Sequence, residues 1–343
     1  MTILHREWLR PPSWLRRFGQ GLRRRREGGV ALVTVALMAL VAVGADFLAA
    51  ERPILLERDG RLYLLANVFD YDELRDLDNG SICGEMREGD WALLPPVPYG
   101  PFQSRVGGWV QPLEPPDRDH LAGTDDRGRD VLARLIHGTR VSLSVGFVAV
   151  FLYAMLGVLL GGSAGYYGGG IDHAVNRCIE VMMAFPAFFF ILTVQGLMGS
   201  TTVIQLVVVI GLTRWTDVAR LVRAEVLRVR AMDYVLAARA VGLTEWRILT
   251  DHVLPNSLGP VWVTCTFGVA AAVLTESALS FLGFGTPPPT PSWGELLTQA
   301  YENPQAWWLT LFPGVVLFST VTAFNVLGEV IRDMIDPRLP QVT

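Results

Sequence analysis

Six stretches of about 20 mainly apolar residues dominate this sequence, and each is long enough to cross the hydrocarbon core of a membrane as a helix. They begin near Gly29, Val141, Cys178, Thr202, Leu258 and Ala306. Composition agrees, because 51% of the residues are hydrophobic and the mean hydropathy is +0.34, which is unlike a soluble domain of this length. The predicted fold class is an all-α polytopic membrane protein with six transmembrane helices.

Arginine is distributed unevenly along the chain, and its distribution predicts the orientation. The first 26 residues contain eight arginines against one acid, so residues 1–28 are expected to lie in the cytoplasm. The apolar stretch at 29–50 exceeds the core of a cleaved signal peptide, about 7–15 residues, and is expected to remain as the first span. Six crossings return the tail, residues 336–343, to the cytoplasm. Six crossings also place there the connection between the fourth and fifth spans. The seven arginines of residues 214–247 support this placement.

That connection, residues 231–256, is too polar for lipid and is predicted to form an elbow of two short helices. Gly242 permits the positive φ of a sharp turn, and Thr244 followed by Glu245 suits the start of the second helix. Pro255 is expected to end the second helix. Apolar residues recur at helical spacing on the two arms, at Val235, Ala238, Val241, Trp246, Leu249 and Val253. Such an elbow can dock on a protein, and a solvated loop between spans is the alternative.

A long connection, residues 51–140, follows the first span and is predicted to be a small folded insertion on the far side of the membrane. Its content of leucine, tyrosine and phenylalanine argues against a disordered tether. RLYLLANVF (61–69) and DWALLP (90–95) look like strands, with an acidic, turn-rich stretch between them. The Pro-rich segment 95–116 predicts extended chain. Two roles remain open: a docking or gating surface, or a cap that stabilises the neighbouring spans.

The end of this insertion, residues 123–140, predicts a helix before the second span. Thr124 is a suitable N-cap, and Asp125 and Asp126 suit a first helical turn. One apolar face is formed by Val131, Leu132, Leu135 and Ile136. A helix with this face, and with charged residues elsewhere, is expected to lie along the membrane surface.

The sequence offers no foothold for catalysis. All 29 basic residues are arginine, and a phosphate-binding P-loop needs a lysine, so the chain is not expected to hydrolyse ATP by that route. Gly161, Gly162 and Gly168–Gly170 instead predict close helix packing and a turn at the cytoplasmic end of the second span. The three cysteines and five scattered histidines fit neither a disulfide framework nor a metal site. No enzyme activity, metal or cofactor is therefore predicted for this chain.

Two glutamates fall within predicted spans, where ionisable residues commonly indicate a function. Glu180 lies three residues after Arg177, so an interfacial ion pair is the alternative to a pathway role. Glu276 is deeper in its span, between Thr275 and Ser277, and should face a polar cavity or a partner chain. It is predicted either to line a translocation pathway or to make a structural hydrogen bond.

The elbow resembles the EAA loop of permease subunits in ABC importers. The matching residues are Leu236, Ala237, Ala238, Gly242, Leu254 and Pro255, and Leu236 replaces the glutamate of that motif. Five further segments are similar to the C-type permeases of dipeptide and oligopeptide importers: GTDDRGRDVLARLIHG at 123–138, AFPAFF at 184–189, ESALSFLGFG at 276–285, PTPSWGELL at 289–297, and WWLTLFPG to DPRL at 307–339. The large insertion is similar to that of permeases for longer or modified peptides, such as the microcin C class.

This resemblance implies a type I importer fold and a transport function in which the chemistry belongs to a partner. Residues 141–335 would form the permease membrane domain and half of a translocation pathway for peptides. The implied partners are a second permease, two cytoplasmic ATPases that hold ATP and magnesium, an extracytoplasmic solute-binding protein and the lipid of a bacterial inner membrane, with no nucleic acid. The residues implied to couple to the ATPase are Tyr234, Leu236, Ala237, Ala238, Gly242, Leu243, Trp246, Leu254 and Pro255.

Two other classes of protein fit part of the sequence. An ion-coupled secondary transporter would use Glu180 and Glu276 and would need no ATPase, but the inverted repeats common in such transporters are not evident. A membrane-anchored sensor would bind its ligand with the insertion, but one or two spans would suffice for a sensor. The secondary transporter is the stronger of these two alternatives.

Overall fold

The computed structural model describes residues 26–74, 77–87, 89–104, 112–199 and 202–335. Helices dominate these residues, and a small three-stranded sheet lies between the first two long helices. The basic N-terminus, the tail at 336–343 and part of the Pro-rich segment lie outside the described residues. What the sequence indicates about them stays a prediction.

The elements are given in chain order. The helices are α1 (Arg26–Val43), α2 (Ala45–Leu48), α3 (Asn79–Gly84), α4 (Val131–Tyr167), α5 (Gly169–Met183), α6 (Ala187–Met198), α7 (Val203–Val229), α8 (Asp233–Ala240), α9 (Glu245–Arg247), α10 (Leu254–Ser257), α11 (Gly259–Phe281), α12 (Trp293–Glu302) and α13 (Trp307–Ile335). The strands are β1 (Leu55–Arg58), β2 (Arg61–Leu64) and β3 (Trp91–Leu93). A 3-10 turn (Asp72–Leu74) lies in the insertion, and a π-helical segment (Ile248–Val253) joins α9 to α10.

Helix occupies each of the six predicted spans. In the described part of the chain, four helices are long and apolar enough to cross a membrane: α1, α4, α11 and α13. A fifth candidate consists of α5 and α6 together, which pass the same test as a pair bent by 80°. The 27-residue helix α7 is long enough, but it carries six charged residues, all from Arg214 onwards. The predicted all-α polytopic class is confirmed, and α7 is the span whose polarity sets it apart.

The predicted third span is not one straight helix. It was expected to begin near Cys178, which lies inside α5, and the chain bends after Ala184 before α6 starts at Ala187. Pro186 stands at the bend with φ −59° and ψ 123°. Proline has no N–H to donate and its ring clashes with the preceding turn, so α5 cannot continue through it. The length of this apolar stretch predicted one continuous helix, although Pro186 indicates the break.

The two longest neighbours, α4 and α7, pack closely through glycines of α4. A β-carbon at Gly157 would lie 2.5 Å from the Val218 β-carbon, and one at Gly161 would overlap the carbonyl of Ala219. Only a residue without a side chain lets two helix backbones approach this closely. The predicted close packing is therefore confirmed. Around this pair, α11 packs against α4 and α13, and α1 packs against both α13 and α4.

The turn predicted at 168–170 is also present. Gly168 has φ 69° and Gly169 has φ 55°; Gly168 lies between α4 and α5, and Gly169 is the first residue of α5. This left-handed region suits glycine and strains other residues. The turn therefore fixes where the 37-residue helix α4 ends.

The insertion contains an antiparallel sheet in the order β2-β1-β3. Leu55 in the central strand pairs with Leu64 on one side and Leu93 on the other. A small separate core lies within the insertion and comprises Leu56, Tyr63, Ala66, Leu74 and Ile82. The strand-like segments 61–69 and 90–95 do contain β2 and β3, although each strand is shorter than its segment, and β1 was not predicted.

No separate surface helix precedes the second span in the described residues. Instead α4 begins at Val131, where Asp130 is the N-cap and its carboxylate accepts a hydrogen bond from the Ala133 N–H at 2.7 Å. From there the helix runs unbroken into the membrane domain. The prediction of a helix capped by Thr124 along the membrane surface is wrong, because the acidic residues after it form turns in which Asp125 bonds the chain locally.

Candidate functional site

The elbow, residues 231–256, consists of α8, a glycine turn and the helical segments that begin at Glu245. Gly242 has φ 84°, so the turn uses the left-handed region as predicted. Thr244 occupies the N-cap position of α9, but its side chain makes no capping hydrogen bond. The two arms and the sharp turn between them are therefore confirmed, and the predicted cap is not formed by a side chain.

The prediction that Pro255 ends the second arm is wrong. The chain stays helical from Glu245 to Ser257 and resumes at Gly259 in α11. A proline in a helix lacks an N–H and its ring clashes with the carbonyl four residues earlier. The π-helical segment directly before Pro255 widens the helix and gives that ring room. The second arm is thus an extension of α11, so a movement of the elbow passes directly to that helix.

One face of the elbow is buried against the membrane helices. The buried residues, each at most 4% exposed, are Val235, Ile248, Leu249 and Val253. They belong to the main hydrophobic core, and burying such side chains stabilises a fold by about 1.5–3 kcal/mol each. A β-carbon at Gly162 of α4 would lie 3.0 Å from Leu254 Cδ2, so α10 also packs against α4. The elbow is part of the helix bundle, which argues against a solvated loop.

Three polar side chains, Tyr166, Arg239 and Glu245, form a clamp between the elbow and the end of α4. The Glu245 carboxylate accepts hydrogen bonds from Arg239 Nε at 3.0 Å and from the Tyr166 hydroxyl. Arg230 adds hydrogen bonds from its guanidinium to the carbonyls of Gly165 (2.8 Å) and Tyr166 (2.9 Å). The bonds from Arg239 and Tyr166 lower the pKa of the Glu245 carboxyl below its ordinary value. The clamp is therefore charged at neutral pH and holds both arms to α4.

The opposite face, the exposed elbow surface, presents four large apolar side chains. Tyr234 is 42% exposed, Leu236 50%, Val241 84% and Trp246 68%. Exposed apolar side chains grouped on a rigid support indicate a protein docking surface. The predicted apolar stripe on each arm is divided between this surface and the buried face.

The other residues expected to couple to a partner lie on or beside the exposed elbow surface. Ala237, Gly242 and Pro255 are exposed. Ala238, Leu243 and Leu254 are half-buried and pack against the core. The structure brings all nine residues into one compact element, and their coupling role stays a prediction.

Glu276 is fully buried where α11 meets α4. Its carboxylate accepts hydrogen bonds from Ser280 at 2.9 Å and from Ser142 and Ser277 at 3.3 Å each. Ser142 belongs to α4, so the carboxylate links the two helices. This geometry matches the structural hydrogen bond that was one of the two predictions. A place in the pathway stays a prediction.

Glu180 lies on an exposed part of α5, away from the buried core. Its carboxylate pairs with Arg177 at 2.9 Å, and both side chains are more than half exposed. The predicted ion pair is confirmed. Exposed pairs of this kind contribute about 0–1 kcal/mol, and no hydrogen bond joins Glu180 to Glu276 in the described part of the chain. A pathway role for Glu180 stays a prediction.

A buried ionic cluster, formed by Asp125, Arg129, Arg134 and Glu295, lies at the end of α4 opposite the elbow. Arg134 pairs with Glu295 of α12 at 2.6 Å and with Asp125 at 3.3 Å. Arg129 pairs with Asp125 at 2.7 Å, and both arginines are at most 2% exposed. This cluster was not predicted from the sequence. Its only local signal is the mixed-charge run DDRGRD beside an apolar helix face, which led to the prediction of a surface helix.

Chemistry-bearing side chains are otherwise dispersed. Among the described residues, no group of three or more His, Cys, Asp or Glu side chains could hold a metal ion. Cys83, Cys178 and Cys265 are free thiols. The expectation that this chain binds no cofactor of its own stays a prediction.

Comparison with known proteins identifies the family of this chain. Residues 157–341 match the family model of binding-protein-dependent transport system inner membrane components. The chain is 40% identical over 246 residues to the dipeptide transport system permease protein DppC of Bacillus subtilis, covering 70% of this chain and 77% of the relative. It is 32% identical over 327 residues to the inner membrane ABC transporter permease protein YejE of Escherichia coli, covering 92% and 94%. The chain therefore belongs to the family of binding-protein-dependent transport system inner membrane components.

The relatives differ in how much of this chain they match. The peptidoglycan transport system permease protein YejE of Agrobacterium fabrum is 30% identical over 365 residues, covering 97% of this chain and 95% of the relative. The two alignments with YejE proteins leave out less than a tenth of the chain, so they include most of residues 51–140. The match to DppC covers 70% of the chain. Family membership confirms the predictions that the chain is a permease and that it is not an enzyme. It gives no support to the secondary transporter.

Proposed function

We propose that this chain is a permease subunit of an ATP-driven peptide importer. It forms half of the translocation pathway together with a second permease subunit. Two cytoplasmic ATPases, which hold ATP and magnesium, dock on the elbows, and an extracytoplasmic solute-binding protein delivers the substrate. The observation that carries the proposal is the exposed elbow surface on an element that is clamped to α4 and continuous with α11.

In this mechanism the partner ATPases move the elbow as a rigid body. The clamp joins the elbow to α4, and the second arm leads into α11, so both helices receive the movement together. Both also pack against α7. Movement of this group relative to the second permease would alternate the pathway between inward-open and outward-open states.

Peptide is the proposed substrate class. The relative in B. subtilis is named for dipeptide transport and the one in A. fabrum for peptidoglycan transport. Because the YejE alignments include most of the insertion, longer or modified peptides, as in the microcin C class, are favoured over dipeptides. Comparing the rates at which the complex, with its binding protein, takes up a dipeptide and longer peptides would decide between these two substrate classes. Faster uptake of the dipeptide would contradict this preference.

The mechanism also requires the elbow to lie in the cytoplasm of a bacterial inner-membrane complex, together with both termini. The arginine distribution supports this orientation. A Val241→Cys variant, with Cys178 and Cys265 replaced, tests it by labelling with an impermeant reagent. We expect labelling of position 241 in inverted vesicles, and of the native Cys83 in the insertion from the opposite side. The reverse pattern would overturn the proposed topology.

Docking on the elbow is tested by placing a charge in the exposed elbow surface. With Val241→Asp we expect the ATPases to be lost when the permease is purified from membranes, because a desolvated carboxylate opposes burial of the apolar surface. Leu62→Asp is the matched control, since Leu62 is also well exposed but lies on β2 of the insertion. Retention of the ATPases and of uptake by Val241→Asp would show that the elbow is not the docking site.

A further inference from the structure

Arg214 is an unpaired guanidinium in the middle of α7. It lies 11 residues after Val203 and 15 before Val229, which is about 16 Å and about 22 Å from the two ends of the helix at 1.5 Å per residue. Its Nε is buried without a hydrogen-bond partner, and the side chain as a whole is half-buried. The terminal nitrogens are thus the accessible end of the side chain. No ion pair in the described part of the chain includes Arg214.

The surroundings of Arg214 are unlike a lipid-facing helix surface. Between the start of α7 and Arg214, the exposed side chains are apolar: Ile204, Val208 and Leu212. Beyond Arg214 the exposed side chains include Asp217 and Arg220, which pair at 3.4 Å. A single central arginine costs about 2.5–3.5 kcal/mol on insertion scales, and such residues usually face a water-filled cavity or a charged partner. Along α7, the exposed side chains therefore change from apolar to charged at Arg214.

Close packing of α7 against α4 borders Arg214, because Val218 lies four residues after it, about one helical turn. Towards α4, the helix presents Val218 and Ala219 against the glycines of α4, as membrane helix interfaces generally do. At helical spacing, Asp217 and Arg220 lie on the side of α7 away from these contacts, and Arg214 lies at the edge between the two sides. Charged side chains are unsuited to tight packing and suited to an aqueous pathway. The helix is also in the group that the elbow would move, because it packs against α4 and α11.

We propose that Arg214 binds a carboxylate of the substrate while it crosses the membrane. This inference rests on the proposed peptide function and adds a binding residue to it. A guanidinium binds a carboxylate through two parallel N–H···O hydrogen bonds. Asp217 and Arg220 contribute one charge of each sign, so the exposed face with Arg214 carries a net positive charge that favours an anionic group. The carboxylate comes either from the carboxyl terminus of a peptide or from an acidic side chain.

The experiment uses the complete complex in vesicles, with its binding protein and ATPases. Three labelled peptides of one sequence are compared: one with a free carboxyl terminus and no acidic residue, its carboxamide, and the carboxamide with one glutamate. The variants are Arg214→Gln and Arg214→Lys. Arg228→Gln is the matched control, because Arg228 lies on the same helix and is already paired with Glu225 at 2.7 Å.

With Arg214→Gln we expect uptake of the free-carboxyl peptide to fall about 10-fold, as for loss of one hydrogen-bonded charge partner, while uptake of the carboxamide stays at the wild-type rate. Arg214→Lys should retain part of the wild-type uptake of the free-carboxyl peptide, and Arg228→Gln should retain all of it. Loss of uptake for the glutamate-bearing carboxamide would add the acidic side chain as a source of the carboxylate. Its retention would restrict the site to the carboxyl terminus.

Equal losses for the free-carboxyl peptide and the carboxamide would overturn the proposal. Loss of the second permease on purification of Arg214→Gln would also overturn it, because Arg214 would then pair with an acid of that subunit. A failure of the proposed function looks different. In that case the wild-type complex itself would transport none of the three peptides.

Discussion

At the scale of single residues, the shape of the elbow depends on Gly242. Its φ of 84° is open to glycine, and a β-carbon there would meet no atom within 4 Å. A substitution at this position therefore acts through the backbone alone. This makes Gly242 a direct test of whether the geometry of the turn matters for transport.

Gly242→Val is expected to uncouple ATP hydrolysis from uptake, with an unchanged amount of permease in the membrane. A β-branched residue strains a left-handed turn by about 1–3 kcal/mol, and relief of that strain would reorient α8 against α9. Gly242→Asn is the control, because asparagine tolerates positive φ. The measurement is peptide uptake per ATP hydrolysed. The wild-type ratio in the valine variant would contradict the prediction.

Residues whose effect is local were predicted best. Gly242 was identified because a turn between two helices needs a residue that adopts positive φ. The effect of Pro255 was predicted wrongly, because a helix that widens just before a proline can accommodate it, and that widening depends on packing. The serines around Glu276 include Ser142, 134 positions away in sequence. No local pattern could have revealed that partner.

At the scale of elements, the contact between α4 and α7 gives a stability prediction. Gly161→Ala would place a methyl group against the carbonyl of Ala219, and overpacking of this kind lowers the free energy of unfolding by about 1–3 kcal/mol. Gly170→Ala in α5 meets no atom within 4 Å, so it should have no destabilising effect. Thermal unfolding of the purified permease in detergent measures both. Equal melting temperatures for the two variants would contradict the close packing.

The ionic cluster gives a second prediction at this scale. Arg134→Met leaves the buried Glu295 with only Arg129, at 3.7 Å, as a charged partner. The loss of the closer partner should lower the free energy of unfolding by about 3–5 kcal/mol. Adding Glu295→Met should restore part of that loss, since the uncompensated charge is removed. The exposed pair provides the control, because Arg177→Met should change stability by about 0–1 kcal/mol. Simple additivity of the losses at 134 and 295 in denaturation experiments would show that the two residues are not coupled.

Element positions could be predicted more reliably than element ends. A run of about 20 apolar residues requires a helix in lipid, so each window was found. The start of α4 was missed because Thr124 and Asp130 both suit an N-cap, and burial of the ionic cluster decided between them. That cluster joins Arg134 to Glu295, 161 positions away. Strand β1 was missed because four residues, LLER, carry little alternation.

At the scale of the whole molecule, the clamp is expected to transmit movement from the elbow to α4. Tyr166→Phe removes only the hydroxyl that donates to Glu245. We expect ATP hydrolysis to continue while uptake per ATP falls about 10-fold or more, equivalent to one hydrogen bond to a charged group. Arg247→Gln is the control, because Arg247 lies on the same elbow in an exposed pair with Asp251. Equal uptake per ATP in the two variants would contradict a coupling role for the clamp.

The transport class followed from the whole sequence, because several short segments resemble one family in the same order. The number of spans does not follow from helix length alone, because α7 is long but charged and α5 and α6 form a bent pair. Partners and substrate lie beyond the fold of one chain. That Arg214 in α7 lacks a partner among the described residues could be recognised only from the structure, because it depends on which side chains surround it.

Helix α4 carries the clamp near one end and Arg134 near the other. Its 37 residues extend for about 55 Å, which exceeds the thickness of a bilayer core by about 25 Å. A tilt of about 10° in a rod of this length displaces one tip by about 10 Å relative to the other. In the proposed topology, a molecule bound to the insertion on the extracytoplasmic side would therefore be expected to stall the nucleotide cycle of the partner ATPases. Inhibitors of such a system need not cross the membrane.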